Sequence, residues 1–353
     1  MPFEPDSDPN LPKIIPLRRG IAKPGILVTG ASGFLGREIV RQFDEAGIPV
    51  RALVRQQPPS ISRASTVEYC QGDITDPLSL RPALDGMTTI IHSAGLAHQF
   101  GKKSRDSQAF QRVNVQGTEN VLRAAVAEQI EHVVLVSSVS VYGGGSKPTD
   151  ESRDCRPTDP YGASKLKAEE VARSIADAVG MKLSILRMAT IFGEEDPGNI
   201  ARLIQSISRG RFVWLGTGSN RKSLIYRSDA ARACVLAAQD SGHRSGDPCN
   251  VYNISMPAVT VAQIVDAIAN GLGRQTRRWY IPAPFVRTVG GGMAICTAGW
   301  GPIARLNRTI TKWLADDIYL ADRFERDYRF QPEISLEEGL RREAAWFQNA
   351  RAA

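Results

Sequence analysis

The amino-acid sequence predicts an α/β protein whose main body is a doubly wound parallel sheet. Short apolar, strand-like runs alternate with helix-period patterns from Gly25 to about Ala233. That order gives parallel strands joined by right-handed crossovers. The first run, Ile26-Leu27-Val28-Thr29, passes straight into the glycine-rich turn Gly30-Ala31-Ser32-Gly33-Phe34-Leu35-Gly36. The fourth run closes on the small residues Ser93-Ala94-Gly95, leaving room at the carboxyl edge of the sheet, where open α/β sheets bind their ligands.

Behind the glycines, Ile39, Val40 and Phe43 recur at helical spacing, so the first unit is strand, tight turn, helix. Glycines three apart let the backbone turn sharply and approach a pyrophosphate, whose charge is met by the open N–H groups and positive dipole end of the helix. Gly30, Ser32, Gly33, Phe34, Leu35 and Gly36 therefore read as a dinucleotide cradle. The second strand, Ile48 to Val54, ends at Arg55, with no acidic residue until Glu68. A carboxylate there would suit the ribose of NAD, whereas an arginine suits the 2′-phosphate of NADP, so NADP(H) is favoured and NAD(H) is the alternative. The third strand, Val67 to Gly72, turns at Asp73-Ile74, and the fourth, Thr89 to Gly95, carries His92, read as a packed strand-end histidine.

A long helical pattern through Phe110, Val113, Val115, Val121, Leu122, Ala125 and Val126 leads to a fifth strand, His132 to Val136, which runs into Ser137-Ser138. Tyr161 and Lys165 then open a further helix that continues through Leu166, Ala168, Val171 and Ala172. Residues four apart share a helix face. An ammonium beside a phenol favours the phenolate, and bringing a tyrosine from about 10 toward 7 takes roughly 4 kcal/mol of differential interaction. Such a tyrosine can exchange a proton with an alcohol or ketone while the carbon exchanges hydride with a nicotinamide.

Composition narrows the function class. With 353 residues, 42% of them hydrophobic, the chain can bury a large core with an added lobe. Lysine plus arginine (44) exceeds aspartate plus glutamate (37), which suits an anionic ligand. The absence of basic blocks and of an aromatic-basic signature argues against nucleic acid. Cys70, Cys155, Cys234, Cys249 and Cys296 are odd in number and scattered, pointing to reduced thiols in a cytoplasm and to no metal site. The proline-punctuated residues 1–24 read as a flexible arm without a secretory signal, and no run of uncharged apolar residues is long enough to be an integral membrane segment. Residues 25–193 and 224–255 are assigned to the dinucleotide-binding domain. Residues 194–223 and 256–353 are assigned to a smaller, discontinuous, mixed α/β substrate-binding lobe.

Taken together, Thr29 to Gly36, Gly72-Asp73-Ile74, His92 to Gly95, Asn114 to Thr118, Ser137 to Gly143, Tyr161-Gly162-Ala163-Ser164-Lys165 and Leu186-Arg187 through Phe192-Gly193 resemble an extended short-chain dehydrogenase/reductase. Within that group the sequence is similar to the NAD-dependent epimerase/dehydratase family acting on nucleotide sugars. The resemblance implies a Rossmann-like fold, a catalytic set of Ser138, Tyr161 and Lys165 with Asn114 in support, and Asp73 and Ile74 beside the adenine. It extends the cofactor set to Ser93, Ala94, Gly95, Tyr161 and Lys165, and implies a homodimer. It also implies a substrate set of Ser138, Ser140, Asn199, Arg221 and Lys222, with a nucleotide sugar as ligand.

Sugar dehydratases of this group carry an Asp-Glu pair where Val139 and Ser140 stand, so C4 epimerisation or 4-ketoreduction is expected instead. Thr190 departs from the group's usual asparagine, and the later phosphate clamp has no clear counterpart, with Arg277, Arg278 or Arg287 as its replacement. An apolar alcohol or ketone is the alternative substrate, as in the related 3β-hydroxysteroid dehydrogenase and dihydroflavonol reductase groups, with the glycine-rich stretch near Gly290 bordering the pocket. A non-catalytic dinucleotide-sensing module is the third reading.

Overall fold

The computed structural model describes residues 25–56, 65–97, 107–144, 147–240, 247–276, 280–281 and 314–352. Along the chain, β1 (Gly25–Thr29), α1 (Phe34–Glu45), β2 (Val50–Val54) and β3 (Val67–Gln71) are followed by the one-turn helix α2 (Arg81–Leu84) and β4 (Met87–His92). Helix α3 (Ser107–Phe110) runs through a π-helical turn, Gln111–Gln116, into α4 (Gly117–Ala127). β5 (His132–Ser138) ends in a 3₁₀ turn, Val139–Tyr142, and α5 (Pro160–Val179) returns to β6 (Lys182–Met188). Next come β7 (Thr190–Phe192), α6 (Asn199–Ser208), β8 (Trp214–Leu215), β9 (Arg221–Lys222), β10 (Leu224–Tyr226), α7 (Arg227–Gln239) and β11 (Cys249–Ile254). The last elements are β12 (Val259–Thr260), α8 (Val261–Gly271), β13 (Tyr280–Ile281), α9 (Asp322–Tyr328) and α10 (Leu336–Ala352).

Strands β3, β2, β1, β4, β5, β6 and β11 lie side by side in that order, all parallel, forming the doubly wound sheet that the alternating pattern predicts. Ile26 and Val28 join one core with Ile39 and Phe43 of α1 and Ala230 and Val235 of α7. Leu27 faces the other way, into a core with Leu122 and Ala125 of α4 and Ala172 and Ala176 of α5. This period-two alternation of apolar residues is what burial on both faces requires. The order of connection reverses between β1 and β4, so a crevice opens there at the carboxyl ends of the strands. The helical pattern after Phe110 is interrupted by the π turn, where one extra residue per turn shifts the phase of the side chains.

A third core gathers Leu203 and Ile204 of α6, Ile264 and Ile268 of α8, and Leu340 and Ala344 of α10 around Trp214. Thr260 and Gln263 form a reciprocal capping box at the start of α8, and Ser335 accepts from the Glu338 amide at the start of α10. Phe324, Tyr328 and Phe330 pack with Tyr252 against the large sheet, so the segment containing α9 belongs to its core. Among the described residues no helix is long and apolar enough to cross a membrane, no cluster of ligating side chains fits a metal, and Cys70, Cys155, Cys234 and Cys249 are free thiols. The N-terminal arm, Arg277, Arg278, Arg287, the stretch near Gly290 and Cys296 lie outside the described residues.

One buried carboxyl links α10 to the loop after β7. Glu343 is 1% exposed; its Oε2 accepts from the Gly193 amide at 3.1 Å, and its Oε1 has no hydrogen-bond partner among the described residues. Burial, reinforced by the charge of Asp196, pushes it up to about 9. The folded state thus holds a proton that the unfolded chain releases at an ordinary carboxylate pKa, and stability falls as pH rises from that value toward 9. Glu343→Gln, which cannot ionise, is expected to gain about 1–3 kcal/mol over the native protein at pH 8 and almost nothing at pH 4. Thermal unfolding at both pH values checks this; an equal change at the two would refute it.

Candidate active site

Gly30 adopts φ +68°, and a Cβ built on it would stand 2.7 Å from both N and Cα of Ala94. Its carbonyl accepts from the Gly33 amide at 2.8 Å and would lie 2.1 Å from a Cβ at Gly36. Only glycines let the turn press against both the end of β4 and the first turn of α1. That helix starts at Gly33 with no side chain capping it and no acidic residue in its first turn. Its positive end therefore faces outward beside exposed Ser32 and Gly33. Phe34, Leu35 and Gly36 contribute the first backbone amides, and an uncapped helix start of this kind suits a pyrophosphate.

At the end of β2, Arg55 is exposed, whereas Arg51 is committed to Glu68 at 2.9 Å and to the carbonyls of Ala83 and Asp85. Asp73 is held below the usual carboxylate range, first by the Thr75 amide and then by the Thr75 hydroxyl, with Arg55 and Arg112 adding positive charge. Ile74 is buried against Gly117, and its carbonyl accepts from Asn120 at 2.9 Å. These residues make a basic, partly apolar rim at the β2–β3 end of the sheet.

The side chains that the sequence marks as candidates converge on the other side of the crevice. Asp159 caps α5 by accepting from the Gly162 amide at 2.8 Å, and Pro160 occupies the first helical position. Gly162 lets the helix start abut the turn after β5, since a Cβ there would meet the Ser140 carbonyl oxygen at 2.5 Å. This brings Tyr161 beside Ser138, whose hydroxyl lowers the phenol's proton affinity and donates to the Ser140 hydroxyl at 3.2 Å. Lys165, one turn on, donates to the Val136 carbonyl. A Cβ at Gly95 would lie 3.2 Å from Asn114 Oδ1 and 3.9 Å from Lys165 Nζ, so the small residues ending β4 border the amine directly.

Asn114, presented by the π turn, fixes that border. Its Oδ1 accepts from the Leu96 amide at 2.7 Å, while its Nδ2 donates to the Leu96 carbonyl at 3.1 Å and to Ser164 Oγ at 2.9 Å. Below it runs a chain of polar groups. The Ala94 amide donates to Thr29, Thr29 lies 2.7 Å from His92 Nδ1, His92 Nε2 lies 3.0 Å from Thr118, and Thr118 donates to the Asn114 carbonyl. Because Thr118 donates onward, His92 Nε2 is the ring's donor and Nδ1 accepts from Thr29. Burial and the nearby Lys165 drive His92 down to about 3, which keeps it neutral as a structural link.

Burial pushes the Tyr161 phenol up to about 12, only partly offset by the bond from Ser138, and pushes Lys165 down to about 8. The expectation that Lys165 primes the phenol is therefore not met by these groups alone. Its amine hydrogen-bonds a carbonyl, and the groups that set the phenol's proton affinity are its burial, Ser138 and Asp159.

On the lobe side, Asn199 is the exposed first residue of α6. The exposed Arg221 donates its amide to Asp316 at 2.6 Å and its guanidinium to the Ala258 carbonyl at 2.7 Å; Lys222 pairs with Asp317 at 2.6 Å. Asn114, Ser138, Ser140, Tyr161, Lys165 and Gly95 thus form one cluster, while Arg221 and Lys222 sit on the β9–β12 pair with Lys222 neutralised. The sequence reading passed over the links around His92, and over Glu169 and Arg187. The usable signal was Glu169 standing one turn beyond Lys165 on the same helix face.

Comparison with known proteins agrees with this architecture. A 2-alkyl-3-oxoalkanoate reductase of Stenotrophomonas maltophilia is 30% identical over 90% of this chain and 97% of its own length. An N-acetyl-alpha-D-glucosaminyl-diphospho-ditrans,octacis-undecaprenol 4-epimerase of Escherichia coli O157:H7 is 30% identical over 73% of this chain and 76% of its own. Among solved structures, MoeE5 in complex with UDP-glucuronic acid and NAD superposes with a TM-score of 0.71 at 28% identity, covering 92% of this chain and 99% of that one. The chain belongs to the NAD dependent epimerase/dehydratase family, whose model matches residues 26–255.

Proposed function

We propose that the protein is an NAD(P)-dependent oxidoreductase acting at C4 of a nucleotide-activated hexose, as an epimerase or a 4-ketoreductase. The observation that carries this reading is the meeting of Ser138, Tyr161 and Lys165 with the small-residue end of β4, beside the Gly30–Gly36 cradle. A dinucleotide held by that cradle, by Ser93–Gly95 and by Lys165 supplies the hydride carrier and, when oxidised, a positive charge. Tyr161 Oη takes the proton of the C4 hydroxyl in oxidation and returns it in reduction. Ser138 donates to the same oxygens and orients them, and Asn114 keeps the site's wall in place through Leu96 and Ser164. A cation near Tyr161 favours its phenolate, against the effect of burial. Asn199 and Arg221 receive the diphosphate end in this reading, Lys222 acting through Asp317. The working form is a homodimer in the cytoplasm, in keeping with the resemblance and the free thiols.

Arg55 supports NADP(H), with NAD(H) as the alternative that MoeE5 exemplifies. A second reading, an apolar ketone or alcohol as substrate, is favoured by the nearly full-length similarity to the 2-alkyl-3-oxoalkanoate reductase and by the neutralised Lys222. Thermal-shift titrations with UDP-hexoses against 3-oxoalkanoates and sterols separate the two, since a bound ligand raises the unfolding midpoint.

Tyr161→Phe is expected to lose about 10²–10⁴-fold in kcat while binding the dinucleotide with little change in Kd. Turnover at the native rate would overturn the mechanism. Arg55→Ala is expected to weaken NADPH binding roughly tenfold while leaving NADH unchanged, measured by fluorescence titration. Equal effects on the two cofactors would remove the NADP preference.

A further inference from the structure

The helix that carries Tyr161 and Lys165 is fastened by a buried charge cluster outside the reactive set. Glu169 lies on α5 one turn beyond Lys165 and is 3% exposed. Its Oε2 accepts from Arg187 Nη2 at 2.7 Å, Arg187 Nε bridges both carboxylate oxygens at 3.2 Å, and Oε1 also accepts from the Ser137 hydroxyl. Arg187, on β6, extends its other nitrogen to the Tyr142 hydroxyl at 2.9 Å and covers that ring at 4.8 Å. Tyr142 in turn donates to Asn253 Oδ1 on β11 at 2.8 Å. Ser137 immediately precedes Ser138, and Tyr142 closes the turn that follows it. The cluster therefore joins the helix bearing Tyr161 and Lys165 to the strand bearing Ser138.

We infer that Glu169 is a positioning residue for the Ser138–Tyr161–Lys165 site: clamped by Ser137 and Arg187, its carboxylate locks α5 in register with β5 and stands one helical turn from Lys165 as the fixed anion that keeps the amine an ammonium. This rests on the functional reading above only in treating those three residues as the reactive set. The charges coupled to Lys165 are those of Glu169 on its own helix and of His92 on β4, and Glu169 is itself paired with Arg187 on β6; Tyr161 stands one turn before it on the helix. Of these, His92 is held neutral and Tyr161 keeps its proton, so the charge on Glu169 is the one that opposes the effect of burial on the amine.

The test is a pH titration of the full chain carrying ¹³Cε-labelled lysine, with Lys165 assigned by Lys165→Met. The native midpoint is expected near 8. Glu169→Gln, with its fold checked by circular dichroism, is expected to lower that midpoint by about one unit. An unchanged midpoint overturns the inference. Should Glu169→Gln not fold, Glu169→Asp preserves the charge for Arg187 but draws it away from Lys165; a lowered midpoint again supports the inference and an unchanged one overturns it. Turnover of UDP-glucose with NAD or NADP, run beside Tyr161→Phe, separates the two levels. Activity surviving in Tyr161→Phe defeats the functional reading. Activity lost in Tyr161→Phe but native in Glu169→Gln defeats only the positioning role.

Discussion

The contact between the Gly30 turn and the end of β4 is the constraint on which the rest of the site depends. Strands β1 and β4 are neighbours at the switch point, and their carboxyl ends close to where a single Cβ on Gly30 would strike the Ala94 backbone. That closeness sets the depth of the crevice. It brings the small residues Ser93, Ala94 and Gly95 over the first turn of α1, and it carries Gly95 against Lys165 and Asn114. A wider turn would separate the uncapped start of α1 from Tyr161 and Lys165, which come from the other half of the sheet.

The second organising force is desolvation. Tyr161, Lys165, His92, Glu169 and Arg187 are all drawn into a region where charge is costly, and protein groups hydrogen-bond the last four of them. Isolated buried charges would be intolerable there, so the Glu169–Arg187 pair is bidentate and its remaining hydrogen-bonding capacity is met by Ser137 and Tyr142. His92 is the neutral counterpart, a link that carries hydrogen bonds from Thr29 to the π turn without titrating near neutrality. The rigidity of such fully satisfied networks is what allows loops on either side to present reactive groups at fixed distances.

The family likeness and the substrate question divide along the chain. The family model spans residues 26–255, the stretch that forms the parallel sheet and most of its helices. Much of the third core, including α8 and α10, comes from beyond that stretch, and this core also holds residues of β10 and the end of β7. Relatives named for a lipid-linked sugar and for an oxoalkanoate share similar identity with this chain. The part matched by the family model is the parallel sheet with its glycine turn, and a fold shared by relatives with such different names does not by itself name a substrate.

Much of this was legible in the residues. Alternating apolar runs dictated a parallel sheet because strands buried on both faces must be apolar throughout, and glycine spacing marked the cradle because no other residue fits its turn. Tyr161 and Lys165 could be paired because four residues make about one helical turn. What the linear order could not disclose was decided by packing. The π turn reset the phase that brings Asn114 to the site, and Arg187 reached across from β6 to Glu169 through a separation of 18 positions. Lys222 found Asp317 from 95 positions away, and burial reversed the expected drift of the Tyr161 phenol. Local patterns fix element types because they depend on near neighbours alone, whereas proton affinities and ion pairing depend on which distant groups exclude water from the same space.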